Sequence, residues 1–132
     1  MRAVFADTFY FLAYLNRGDA NHQSALAASK RFEDILTTAW ILIEVADAFA
    51  ASASRQRLVK YIHSLELDSN TTIIPATDNL FQRGLQLYDS RPDKNWALTD
   101  CISFVVMEEN NLTQALTGDH HFEQAGFKAL LK

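Results

Sequence analysis

Cysteine is nearly absent. Cys101 is the one thiol in 132 residues, so no internal disulfide framework can form and a reducing compartment fits. Glycine and proline are scarce, at 4 and 2, which excludes collagen-like and low-complexity classes. No apolar run approaches the ~20 residues that span a bilayer. The opening stretch MRAVFADTFYFLAYL is apolar, yet Asp7 interrupts it and no small-residue cleavage site follows. That argues against a signal peptide. The expectation is a soluble, cytoplasmic protein without a membrane segment. Excess positive charge is missing too. Formal net charge is −4 and no long basic run occurs, so nonspecific nucleic-acid binding is disfavoured. Any handling of nucleic acid would need a local basic patch, bound cations or a basic partner.

What is present is core-forming content. The chain is 48% hydrophobic, and its length fits one compact domain, 1–132, with a sizeable core. Strand signals fall at AVFAD (3–7), DILTTA (34–39), TTIIPA (71–76), TQALTGD (113–119) and FKALLK (127–132). Helical stretches fall at 8–16, 22–33, 40–52, 54–67, 77–91 and 96–111. Short apolar strands alternating with helices predict an α/β fold, a mostly parallel sheet covered on both faces.

WALTDCISFVVM raises a question, because Asp100 stands inside a run that reads as core. Three other acids share its situation. Asp7 ends the first strand. Asp119 ends LTGD. Glu44 sits in WILIEVADAF among apolar neighbours. Ligands gather at the carboxyl ends of parallel strands, and acids placed there can converge on one rim. Each alone has a bland reading as a helix cap, a turn former or a macrodipole partner. As a buried set they would repel and shift their pKa values. No Arg or Lys adjoins any of the four. A divalent cation, Mg²⁺ or Mn²⁺, resolves this economically, since both favour oxygen ligands. Such a site can activate water and stabilise a phosphodiester transition state.

Three segments, FADTFYFLAYLNRGDANH, WILIEVADAF and WALTDCISFVVMEENNLTQALTGDHHFEQAGF, resemble the PIN-domain family, in particular the VapC-type ribonuclease toxins of bacterial toxin–antitoxin pairs. TDCISF followed by LTGDHHF is the most specific part. The resemblance implies an α/β/α sandwich with one PIN domain over the chain. It implies a Mg²⁺- or Mn²⁺-dependent endoribonuclease that hydrolyses RNA, leaving 5′-phosphate and 3′-hydroxyl ends. Asp7 and Asp100 match the central metal ligands, and Glu44 and Asp119 complete the quartet. Thr8 matches the small polar residue after the first acid. Ser103, on the helix face of Asp100, is expected to orient it. An antitoxin partner and a homodimer are also implied.

Other residues have plainer readings. Arg91 and Lys94 lie in the loop before Asp100's helix and are candidate RNA-phosphate contacts, with a solvated loop as the alternative. Arg55 and Arg57 lead another helix. Phe9, Tyr10, Phe11 and Tyr14 offer apolar surface for dimerisation or an antitoxin helix, or else core packing. Cys101 next to Asp100 reads as a small buried thiol rather than a nucleophile. His120 and His121 lack the spacing of a zinc pair and are expected to diverge, with one at the rim of the pocket. His22 and His63 read as structural or exposed, Asp47 as solvated, and Asp93 as a turn former. Two other classes compete. One is a PIN-like RNA-binding or scaffold module without catalysis. The other is a receiver-like phospho-accepting domain, disfavoured because only Asp7 follows the first strand and no Lys follows LTGD.

Overall fold

The β-branched and apolar runs become strands, and the longer amphipathic or apolar stretches become helices. A computed structural model describes residues 3–132, except for the side chain of Ser52. The order is β1 (Ala3–Ala6), α1 (Thr8–Leu15), α2 (His22–Ser29), β2 (Asp34–Thr38), α3 (Ala39–Ala48), α4 (Ser52–Leu67), β3 (Thr71–Ile74), α5 (Asp78–Ser90), α6 (Leu98–Glu109), β4 (Gln114–Leu116), α7 (His120–Gln124) and β5 (Lys128–Ala129). The sheet runs β3-β2-β1-β4-β5. All four of its pairings are parallel. Among the described residues the sheet is therefore wholly parallel, and its strands carry the continuous apolar pattern that two covered faces require.

The chain builds outward from β1 to β3, then crosses back to β4 and β5. Right-handed crossovers place the helices of each half on opposite faces. Packing agrees. α1 contacts α2 and α3, and α3 contacts α4, whereas α5 packs on α6 and α6 on α7. The strand order reverses at β1 and β4. A crevice opens at such a switch point, beyond the carboxyl ends of the strands.

Local chemistry sets the helix starts. Thr38 caps α3 by accepting the Ile41 N–H at 3.1 Å. Thr77 caps α5 by accepting the Leu80 N–H at 3.2 Å. The apolar first half of α6 is buried from Cys101 to Phe104. It lies close against α5 because Gly84 has no side chain. A Cβ there would stand 2.3 Å from Ile102 Cγ1. Phe104 contacts Trp96 and Phe122 edge to face at 5.1 and 5.0 Å, tying α6 to the segment after β4.

Two expectations change. α7 was not foreseen: HHFEQ is too short to show a helical period, and its start is set by a cap. β4 stops at Leu116, so Asp119 stands three residues past the strand, at the N-cap of α7. No helix among the described residues is long and apolar enough to cross a membrane.

Candidate active site

At the switch point, one open depression is lined by Asp7, Thr8, Phe9, Glu44, Ala97, Asp100, Asp119 and His121. The four acids singled out from sequence therefore meet, from four separate elements. Among the described residues, no Lys or Arg lines it.

Asp7 occupies the N-cap position of α1, yet its side chain makes no capping hydrogen bond. Its Oδ2 instead accepts from the Thr117 hydroxyl at 2.8 Å. Burial pushes its carboxyl up to about 7. The charges of Asp100 and Glu44 add to the rise, and the Thr117 bond opposes it. The bland cap reading thus fails for Asp7. It holds for Asp119, whose Oδ1 accepts the His121 N–H at 2.9 Å. The Asp119 N–H in turn donates to Thr117 Oγ1 at 3.1 Å. Thr117 therefore ties both acids together from the end of β4.

Asp100 reaches back to its own helix start, where its Oδ2 accepts the Ala97 N–H at 3.1 Å. The same oxygen lies 3.3 Å from His121 Nδ1, and that nitrogen lies 3.5 Å from Asp119 Oδ1. Burial raises the Asp100 pKa. The Ala97 N–H opposes this, the charge of Asp119 adds to it, and His121 opposes it. Glu44, in the second turn of α3, accepts the Thr8 hydroxyl at 2.6 Å. Thr8 thus positions Glu44 through its hydroxyl, while its backbone N–H helps to lower the Asp7 pKa. Gly118 gives the Phe9 ring its place, since a Cβ at 118 would stand 2.5 Å from Phe9 Cζ.

The family model for the PIN domain matches residues 4–128. The chain belongs to the PIN-domain family. No curated protein matches it. Solved structures do resemble this PIN domain. VapC20 of Mycobacterium tuberculosis, described as a sarcin-ricin loop cleaving toxin, is 22% identical over 94% of this chain and 95% of its own, with a TM-score of 0.84. FitAcB of Neisseria gonorrhoeae is 17% identical over 96% and 94%, with a TM-score of 0.73. VapBC2 of Rickettsia felis, bound to a DNA fragment from its promoter, is 12% identical over 96% and 96%, with a TM-score of 0.68. These likenesses bear on the fold. PIN membership also sets aside the receiver-like alternative.

Several side chains of the PIN domain fall elsewhere than expected. Ser103 is buried, and its Oγ has no hydrogen-bond partner, so it does not orient Asp100. Backbone and His121 do that instead. Tyr10 and Phe11 are core residues, 3% and 1% exposed, not docking surface. The rings of His120 and His121 do not diverge but sit 4.4 Å apart. With Asp119 they present ligand atoms within 4.8 Å of one another. Burial pushes the Cys101 thiol up to about 11, which removes it as a nucleophile at neutral pH. His22 bonds the Ala13 carbonyl, a structural role, whereas His63 is exposed and pairs with Glu66 on the surface of α4. Arg91 and Lys94 lie outside the depression, in an adjoining cleft that shares Ala97 with it. Sequence reasoning missed Thr117. Its signal was a hydroxyl at the end of a buried strand, two residues before an acid.

Proposed function

We propose that this PIN domain is a Mg²⁺- or Mn²⁺-dependent endoribonuclease, the toxin of a toxin–antitoxin pair. The observation that carries the reading is the convergence of Asp7, Glu44, Asp100 and Asp119 on one depression at the switch point, with no Lys or Arg among the described residues lining it. The donor set fits a hard divalent cation, being all carboxylate oxygen apart from the His121 ring. It also explains how Asp7 can be charged at neutral pH despite its burial. Asp7 and Asp100 would hold the cation, with Glu44 and Asp119 completing the site directly or through water. When bound, the cation supplies water activation and charge neutralisation at the phosphodiester.

The protein's own groups keep this constellation rigid. Thr117 fixes Asp7 and the backbone of Asp119. Thr8 fixes Glu44. Ala97 and His121 fix Asp100. Arg91 and Lys94, in the neighbouring cleft, would contact RNA phosphates. The similarity to VapC20, described as cleaving the sarcin-ricin loop, supports RNA as substrate. The similarity to VapBC2 supports an antitoxin partner. A homodimer working in the cytoplasm completes the proposal.

The test is cleavage of end-labelled bulk cellular RNA by antitoxin-free protein, with Mg²⁺ or Mn²⁺, with EDTA, and with Asp100→Asn. Discrete products that require both the metal and Asp100 are expected. Folded protein that cleaves no RNA pool with either metal would leave a non-catalytic binding module as the better reading.

A further inference from the structure

The adjoining cleft, about 610 Å³, has Tyr88, Arg91, Lys94 and Trp96 in its wall and meets the acid depression at Ala97. Its two cations, Arg91 and Lys94, are partly exposed, and one carboxylate lies beside both. Residues 91–94 form a turn with Pro92 at its second position, closed by the Lys94 N–H donating to the Arg91 carbonyl at 3.1 Å. The turn brings Asp93 beside both basic side chains. Asp93 accepts from Arg91 Nε at 3.0 Å and from Arg91 Nη2 at 2.9 Å. Its Oδ2 lies 4.0 Å from Lys94 Nζ. The Arg91 guanidinium is meanwhile held 5.1 Å from the Trp96 ring centre.

We infer that this cleft carries the single-stranded RNA flanking the scissile phosphate, and that Asp93 is a removable mask on its cations. The inference rests on the ribonuclease reading above. A guanidinium fork engaged by a carboxylate in this way is the same fork that grips a phosphate through two hydrogen bonds. An RNA phosphate entering the cleft takes the place of the Asp93 carboxylate on Arg91. An exposed ion pair is weak, so the exchange is easy. Tyr88, 49% exposed, offers a ring on which a base can stack. The mask also suits a chain of net charge −4, which would gain RNA affinity only where a strand reaches Arg91 and Lys94 together.

The test compares Mn²⁺-dependent cleavage of total cellular RNA by wild type, Asp93→Asn, Arg91→Ala, the double variant, and Glu108→Gln as a charge control, an exposed acid outside both the cleft and the depression. Asp93→Asn is expected to lower the apparent KM about two- to fivefold, the size of an exposed pair's coupling, with kcat unchanged. It should also steepen the salt dependence. Arg91→Ala should raise the apparent KM, and Asp93→Asn should add nothing in that background. An effect of Asp93→Asn no larger than that of Glu108→Gln, or an unchanged KM in Arg91→Ala, overturns the inference while Asp100-dependent cleavage keeps the ribonuclease reading. If wild type cleaves nothing, that reading fails instead. Filter binding of the same RNA then judges the cleft alone, and equal retention by wild type, Asp93→Asn and Arg91→Ala overturns it.

Discussion

Asp7→Asn should make the metal-free protein more stable at alkaline pH while removing its activity. Asp7 is 6% exposed, and burial together with the charges of Asp100 and Glu44 lifts its carboxyl from the ordinary 3.8 to about 7. The folded pKa lies above the unfolded one. Between about pH 4 and 7 the native state therefore binds more protons than the unfolded chain, and stability falls as pH rises through that window. At about 1.36 kcal/mol per pH unit, the rise from 3.8 to about 7 corresponds to about 4 kcal/mol lost by pH 8. Asparagine keeps the size and an oxygen that can accept from the Thr117 hydroxyl, but has no charge to desolvate. In EDTA, urea denaturation should show the variant ahead by up to about 4 kcal/mol at pH 8, with the gap closing towards pH 4. Mn²⁺ should stabilise the wild type and narrow the gap, because a ligand held by the native state alone shifts the equilibrium by mass action. Equal stability at pH 8 in EDTA, or a wild type that gains on the variant as pH rises, would refute the electrostatic account of Asp7.

Three further outcomes follow from the geometry. Thr117→Val removes the hydroxyl that serves Asp7 and Asp119, and should lower RNA cleavage about 10- to 100-fold while the circular dichroism spectrum stays that of wild type. Gly118→Ala puts a Cβ 2.5 Å from Phe9 Cζ. It should destabilise by about 1–3 kcal/mol through overpacking, read as a lower melting temperature that Phe9→Leu partly restores. Cys101 is buried and its thiol is pushed up to about 11. Iodoacetamide at pH 7.5 should therefore modify it only as fast as the protein unfolds, and rapid alkylation of folded protein would contradict that environment.

The fold was legible where the chain is monotonous. Strands such as TTII and the buried run of α6 announce themselves through β-branched or continuous apolar content. The acid set was legible because Asp100 and Glu44 stand where apolar neighbours make a charge expensive. Sequence said less about what each acid does with its oxygens. Asp7 and Asp119 look alike as acids after a strand, yet one side chain caps a helix and the other does not. That difference comes from Thr117, which reaches Asp7 across 110 positions of sequence. Ser103 shows the opposite failure. Helical spacing placed it on Asp100's side, but its hydroxyl meets no partner, and His121, from an unforeseen helix, approaches Asp100 instead. The spacing of Phe9, Tyr10 and Phe11 could not say which ring faces the sheet; Tyr10 and Phe11 are buried, while Phe9 borders the acids.

The most direct test of the central claim is calorimetric titration of Mn²⁺ into the metal-stripped protein and into Asp7→Asn, Glu44→Gln, Asp100→Asn and Asp119→Asn, each shown to be folded. The four carboxylates acting as one site predict saturable binding by wild type, weakened most by the Asp7 and Asp100 substitutions. Wild type that binds no Mn²⁺, or equal binding by all five proteins, would contradict it.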